Sequence, residues 1–178
     1  MSTGGDQFCP IETDGKLASA NFAEFYRRWE NARGDADLPH LSKIRPAAIP
    51  PKFLPYITII GVENEGTRFV IRLAGSAISD ISHVEMTGWE ADEAKPLPTP
   101  TDGSEASVER LKWSIAHRRP YCMAGPARWS GNDMLTQRTL VLPYVGDDNR
   151  VERFLTLNDL EFGGDLCESC EGAACKTA

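Results

Sequence analysis

The sequence predicts an α+β fold in which an antiparallel five-stranded sheet carries a helical cluster on one face and an aromatic helix at its N-terminal end. Three observations predict this fold: two strand-like runs joined by a short turn, a central block of helical and irregular sequence, and three further strand-like runs. Runs of strands on either side of a helical block are typical of an antiparallel sheet rather than of alternating βα units. The 178 residues fit one domain better than two.

The first predicted helix runs from about Leu17 to Ala32 and ends at Gly34, a residue type that commonly caps helix C-termini. Its aromatic residues recur at i, i+3, i+4 and i+7, which places them on one face. We expect this face to be buried, either on the outer side of the sheet or against the same helix of a second subunit, because so much apolar surface is rarely left in water. The four residues are Phe22, Phe25, Tyr26 and Trp29.

Two strands are predicted at Tyr56–Val62 and Thr67–Ala74, from β-branched residues in the first and an alternating pattern in the second. The turn between them ends in Gly66, which supplies a residue that tolerates positive φ, so the pair forms a hairpin. Before the hairpin, prolines recur between positions 38 and 55 and exclude a long helix or a central strand.

The rest of the domain is predicted as a short helix near Ser76–His83, a longer helix at Ser104–His117 and three strands. The strands lie at Tyr121–Trp129, Met134–Val145 and Val151–Leu160. We divide the chain into a flexible N-terminus (1–16), a domain with its N-terminal helix (17–162) and an acidic, cysteine-containing tail (163–178).

Short motifs occur in a fixed order along this domain: Trp29, Arg33-Gly34, Leu38-Pro39, Pro46, Leu54-Pro55, Phe69 followed by Arg72-Leu73-Ala74-Gly75, Thr87-Gly88 and Leu142-Pro143. In this order and spacing, the segment from Trp29 to Leu160 resembles the single-domain PAS family of alphaproteobacteria. The run from His40 to Lys43 departs from the family's usual Ser or Ala followed by Arg. The resemblance implies a PAS-like fold and a role in sensing, signal transduction or protein interaction, and it names no ligand.

Composition narrows the class of protein. The net charge is −7, which disfavours binding to nucleic acid or to an anionic membrane. No apolar run reaches 18 residues and the N-terminus lacks the pattern of a secretory signal, so a cytoplasmic location is expected.

We predict no catalytic residue. The three histidines, His40, His83 and His117, are far apart in sequence and lack a nucleophile or metal motif beside them. Between the Ser104–His117 helix and the sheet we expect a mainly apolar cavity. Its predicted lining is Phe69, Ile71, Leu73, Val108, Leu111, Ile115, Leu140, Leu142, Leu155 and Leu157.

Some residues near the helical block are candidates to line a ligand pocket in this cavity, with aromatic walls and a few polar groups to orient a ligand. They are Arg72, His83, Trp89, Trp113, Tyr121 and Arg138. Plain core packing explains the aromatic members equally well, because such side chains fill a cavity without a ligand. No cofactor is assigned.

The tail contains Cys167, Cys170 and Cys175, which suggest a thiolate metal site or a redox pair. Three cysteines are one short of a tetrahedral zinc site, so Cys9 or Cys122 would have to supply the fourth ligand. We favour a tail that binds no metal.

The sequence therefore predicts a sensor or regulatory module that acts through homodimerisation or a signalling partner, with a small ligand as an option. Two alternatives are an enzyme or ligand carrier with a cone-shaped α+β fold, and a metal or thiol sensor that uses the tail.

Overall fold

A computed structural model describes residues 7–11, 17, 19–83, 85–91, 104–127, 130, 135–162 and 176–177. Three α-helices and eight strands lie within these ranges. The helices are α1 (Ala20–Arg33), α2 (Ser76–Ser82) and α3 (Ser104–His117). The strands are β1 (Gln7–Pro10), β2 (Ile57–Glu63), β3 (Arg68–Ala74), β4 (Glu90–Ala91), β5 (Tyr121–Pro126), β6 (Leu135–Val145), β7 (Val151–Phe162) and β8 (Lys176–Thr177).

The strands form one sheet in the order β4-β3-β2-β7-β6-β5-β1-β8, and neighbouring strands pair antiparallel. The α+β class and the antiparallel sheet are therefore confirmed. The central five strands are the five predicted ones, but the predicted number is too low. Three short strands of two to four residues complete the sheet, β4 beside β3 and β1 and β8 beyond β5. Such short strands carry too few residues to show an alternating pattern in sequence.

Strand β1 lies inside the N-terminal segment that was predicted to be flexible. It pairs with β5, and the pairing continues through a hydrogen bond from Ile11 N to Pro120 O of 3.1 Å. Phe8 holds the strand in place, with ring centroids 5.0 Å from Trp113 and 5.1 Å from Tyr121. Strand pairing and the ring contacts of Phe8 therefore give residues 7–11 a defined place in the sheet, which the glycines and proline of this segment did not indicate.

Helix α1 buries its aromatic stripe within its own chain. Its N-terminus is capped by Ser19, whose Oγ accepts a hydrogen bond from the backbone N–H of Phe22 at 3.2 Å. Phe25 packs edge-on against Phe53, and the indole N–H of Trp29 donates to Pro143 O at 3.0 Å. Three of the four aromatic residues are buried, namely Phe22, Phe25 and Trp29, and Tyr26 is half-buried. The stripe is therefore buried against its own chain and needs no second subunit to cover it.

The sheet has two faces, because successive side chains of a strand point to opposite sides. We call the α3 side the inner face: Tyr121 lies 6.4 Å from Trp113 between ring centroids, and Arg110 reaches Met123. The opposite side is the outer face. There, burial raises the pKa of Tyr26 of α1 to about 12, and the nearby Cys122 adds a small contribution to that rise.

The register corrects the predicted lining of the inner cavity. Leu140 pairs with both Cys122 and Leu157, so this row lies on the outer face. Leu142 and Leu155, two residues further along, share that face. The odd-numbered and the even-numbered residues of β6 point to opposite faces, and both sets contain apolar residues. The sequence pattern therefore did not indicate which set would face α3. Leu73 is exposed, whereas Phe69 remains inside, 6.5 Å from Phe154.

Candidate functional site

A buried polar network occupies the inner face where β6 and β7 pair. The carboxamide oxygen of Asn158 accepts hydrogen bonds from Gln137 Nε2 and from Thr139 Oγ1, both at 3.0 Å. Gln137 Nε2 also donates to Thr139 Oγ1 at 2.8 Å. Asn158 is only 6% exposed and Thr139 only 4%, so these groups are satisfied by one another in a site largely closed to solvent.

The amide nitrogen of Asn158 continues the network across to β2. It donates to the backbone oxygen of Tyr56 at 3.0 Å. Two longer contacts, each of 3.3 Å, reach the hydroxyl oxygens of Thr58 and Thr156. One side chain on β7 thus links the two strands that flank it, and it holds polar groups in a region where most neighbours are apolar.

Arg110 of α3 approaches the same region from above the sheet. Its Nη1 lies 3.9 Å from Met123 Sδ, and Met123 pairs with Thr139, which in turn pairs with Asn158. Arg110 is itself 5% exposed, which is rare for an arginine. A buried guanidinium, hydroxyls and a carboxamide are therefore brought to one part of the inner face.

Tyr121 lies beside this group and is 2% exposed. Burial raises the pKa of its phenol, and the positive charge of Arg110 partly opposes that rise. The hydroxyl therefore stays protonated at neutral pH. It adds a neutral hydrogen-bonding group to the inner face and no phenolate.

The part of the inner face that lies under α2 is apolar. Ile71, Ile78 and Met86 form a separate buried cluster under α2, and Trp89 and Leu160 pack against it. The polar network is therefore flanked by an apolar cluster under α2 and by the α3 packing. A polar site between apolar walls has the composition of a small-molecule binding site.

The structure brings together two of the six residues predicted to line a pocket. Trp113 and Tyr121 contact each other on the inner face, although Trp113 also stacks on His117 with ring centroids 4.5 Å apart. Trp89 lies in the cluster under α2 instead.

The three predicted polar members lie elsewhere. Arg72 forms an ion pair with Glu63 and is exposed, and its side chain lies over Gly61. His83 is exposed at the end of α2, where it adopts a left-handed φ of 56°. Arg138 immediately precedes Thr139 on β6, so its side chain points to the outer face.

The polar residues that do meet on the inner face were missed in the sequence. Gln137 and Thr139 alternate with the residues assigned to the core of β6, and Asn158 does the same on β7. The sequence did contain an indication of this network, because each of two neighbouring strands has polar residues at alternate positions. Residues at alternate positions of a strand point to the same face. Arg110 carried no signal, because an arginine on a helix is normally a solvated one.

Among the residues that the structure describes, His40 makes contacts that resemble part of a catalytic triad. Its Nδ1 lies 2.8 Å from Ser42 Oγ and its Nε2 lies 3.1 Å from Asp147 Oδ1. The backbone N–H of Ser42 also donates to Nδ1, so His40 acts as the N-cap of a short 3-10 helix. The Asp147 side chain is fully exposed, and the buried carboxylate that orients the histidine of a serine protease has no counterpart in this cluster.

Among the described residues no group of three or more His, Cys, Asp or Glu side chains could hold a metal ion. Cys9, a proposed fourth ligand, is part of a disulfide, and a metal ligand must be a thiolate. The predicted tail cysteines, Cys167, Cys170 and Cys175, lie outside the described residues. In the part of the chain that the structure describes, no helix is long and apolar enough to cross a membrane.

The chain belongs to the PAS domain family, whose model matches residues 17–158. PAS domains are sensor and regulatory modules. No curated protein matches the sequence. Among solved structures, the fold is similar to an RNA-binding light-oxygen-voltage receptor, at 13% identity and a TM-score of 0.43 over 86% of this chain. The match spans 37% of that receptor's chain.

Proposed function

We propose that this PAS domain is a ligand-responsive regulatory module that binds a small organic carboxylate on its inner face. The observation that supports the proposal is the placement of the buried Arg110 on Met123, whose register partner Thr139 belongs to the buried Asn158 network. A guanidinium offers donors in a planar fork that matches a carboxylate, and hydrogen bonds to an ionised group are the stronger ones. The apolar cluster under α2 suits the hydrocarbon part of such a ligand.

The polar groups of the site suit binding better than catalysis. Arginine does not act as an ordinary base, and the other groups are amides, hydroxyls and a tyrosine whose burial raises its pKa. A general base needs a pKa near the working pH. We infer that the module is a sensor and not an enzyme.

The output would be a change in association with a second copy of the chain or with another protein. A net charge of −7 favours a protein partner over nucleic acid. The aromatic stripe of α1 is largely occupied by its own sheet, so association would use another surface.

The proposal is tested by native mass spectrometry of freshly purified protein, followed by thermal unfolding with acetate, succinate and benzoate as probes. We expect a co-purified small molecule or a rise in Tm with at least one probe, because a ligand that binds only the folded state stabilises it. Arg110→Gln should abolish the effect.

Arg138→Gln is the matched control, because Arg138 lies on the outer face one residue from Thr139. It should leave the Tm response to the probes unchanged. A protein that holds no small molecule and responds to no carboxylate, or a response lost equally in both variants, would contradict the proposal.

A further inference from the structure

A cavity lies at the C-terminal end of α3, between the β2–β3 turn and the β6–β7 turn. Its volume is about 550 Å³, within the range of about 300–1,000 Å³ that is usual for small-molecule sites. Three apolar residues, Val62, Ile115 and Val151, contribute to its lining together with charged residues of both turns. Glu152 also lines it, six residues along β7 from Asn158 or about 20 Å in an extended strand. The cavity is therefore separate from the polar network of the inner face.

Glu152 occupies a β-bulge at the edge of this cavity. The register of β6 and β7 shifts between Tyr144 and Val145, and this shift leaves Glu152 without a partner on β6. A bulge redirects a side chain of the bulged strand. The carboxylate of Glu152 lies over Gly146, where an added Cβ would overlap it. The local backbone therefore directs a half-buried carboxylate to the wall of the cavity.

The two arginines of the cavity lining are engaged by other groups. Arg150 forms ion pairs with Glu65 at 3.6 Å and with Asp148 at 3.2 Å. Arg118 donates to the backbone oxygen of Asn149 at 3.0 Å and to its Oδ1 at 2.9 Å. Neither guanidinium group forms an ion pair with the bulged carboxylate.

The carboxylate of Glu152 has no ion-pair or hydrogen-bond partner among the residues that the structure describes. Another carboxylate of the lining, Glu63, is paired with both Arg68 and Arg72. The lining contains four carboxylates and two guanidinium groups, so its net charge is −2. An unpaired carboxylate in such surroundings attracts a cation.

The rim of the cavity contains four non-glycine residues with positive φ. They are Asn64, Glu65, Arg118 and Asn149, with φ of 48°, 57°, 53° and 61°. Such residues keep this conformation only where surrounding contacts hold it, and they cluster at ligand-binding sites. The hydrogen bonds between Arg118 and Asn149 are contacts of this kind, because they join two of the four residues. The rim therefore has a defined shape before any ligand binds.

We propose that this cavity binds a small organic cation, an ammonium group on a short hydrocarbon stem, with Glu152 as its counter-charge. An ammonium group offers three hydrogen-bond donors, and its bonds to a carboxylate are charge-assisted. The stem lies on the apolar residues Val62, Ile115 and Val151. A metal ion fits this site less well, because no three His, Cys, Asp or Glu side chains of the described residues are grouped to hold one. A free amine and the side chain of a lysine in another protein both carry the required chemistry.

The test is a titration of the isotopically labelled full chain followed by NMR. Pentylamine represents the free amine, Nα-acetyl-lysine N-methylamide represents the lysine side chain, and pentanol is the neutral control. We expect pentylamine to shift the amide resonances of Gly66 and Val151, which line the cavity, and pentanol to bind at least tenfold more weakly. The affinity for pentylamine should fall as sodium chloride is added, because salt screens the ion pair. Tighter binding of pentylamine than of the lysine derivative assigns the site to a free amine, and the reverse order assigns it to a partner's lysine.

Two variants test the role of the carboxylate. Glu152→Gln removes its charge and should weaken the binding of pentylamine at least tenfold. Gly146→Ala keeps the charge, but its Cβ displaces the carboxylate, so it should also weaken binding. The residue at 146 has no positive φ, so alanine fits its backbone.

Glu109→Gln is the matched control, because Glu109 is exposed on α3 and does not line the cavity. It changes the net charge by the same amount as Glu152→Gln and should bind pentylamine with wild-type affinity. The proposal would be overturned by unshifted resonances at Gly66 and Val151, by equal affinities for pentylamine and pentanol, or by wild-type affinity in either Glu152→Gln or Gly146→Ala.

Discussion

Replacing Asn158 with alanine removes the side chain that joins β2, β6 and β7. Three of its contacts measure 3.0 Å: those with Gln137 Nε2, with Thr139 Oγ1 and with the backbone oxygen of Tyr56. A buried hydrogen bond contributes about 1 kcal/mol net, and its loss costs more when a buried partner is left unsatisfied. We therefore expect Asn158→Ala to lower the free energy of unfolding by about 3 kcal/mol.

The measurement is urea denaturation at equilibrium, with the m value used to check that unfolding remains two-state. Thr139→Val removes one of the three contacts and should cost about 1 kcal/mol. The double variant should show a coupling energy on the order of 0.5–3 kcal/mol, because both side chains belong to one network. A loss below about 1 kcal/mol for Asn158→Ala, with an unchanged m value, would refute the hydrogen-bond reasoning.

Three further predictions concern other parts of the chain. Trp29→Phe removes the indole donor to Pro143 O and should cost about 2 kcal/mol in urea denaturation, and a cost no larger than that of an ordinary surface change would contradict it. Burial raises the pKa of Tyr144, so folding stability should fall as pH rises above ~10, where the unfolded chain ionises first. Tyr144→Phe should reduce this alkaline loss between pH ~8 and ~11, and equal losses in both proteins would argue against it. A fluorophosphonate probe should leave Ser42 unlabelled in mass spectra, because the carboxylate of Asp147 that faces its histidine is fully exposed, and stoichiometric labelling would reinstate the enzyme hypothesis.

The elements with a long periodic pattern were predictable from the sequence. The helix at Ser104–His117 has the predicted bounds, and the short helix from Ser76 ends one residue before the predicted end. The hairpin turn was also predicted, although it uses more left-handed backbone than its glycine suggested. Asn64 and Glu65 adopt φ of 48° and 57° ahead of Gly66. Local rules therefore located the elements, and the family resemblance supplied their arrangement.

The site was harder to predict because it depends on which of two alternate rows of β6 faces α3. Leu140 and Leu142 occupy one row, and Thr139 and Val141 occupy the other. The larger apolar surface of the leucines marked their row as the core side, and α1 provided a second apolar surface to cover it. A sheet that is covered on both faces has two cores, so the more apolar row does not identify the ligand-binding one. Arg138 was assigned to the cavity through the same error of parity, because it shares the row of Leu140 and Leu142.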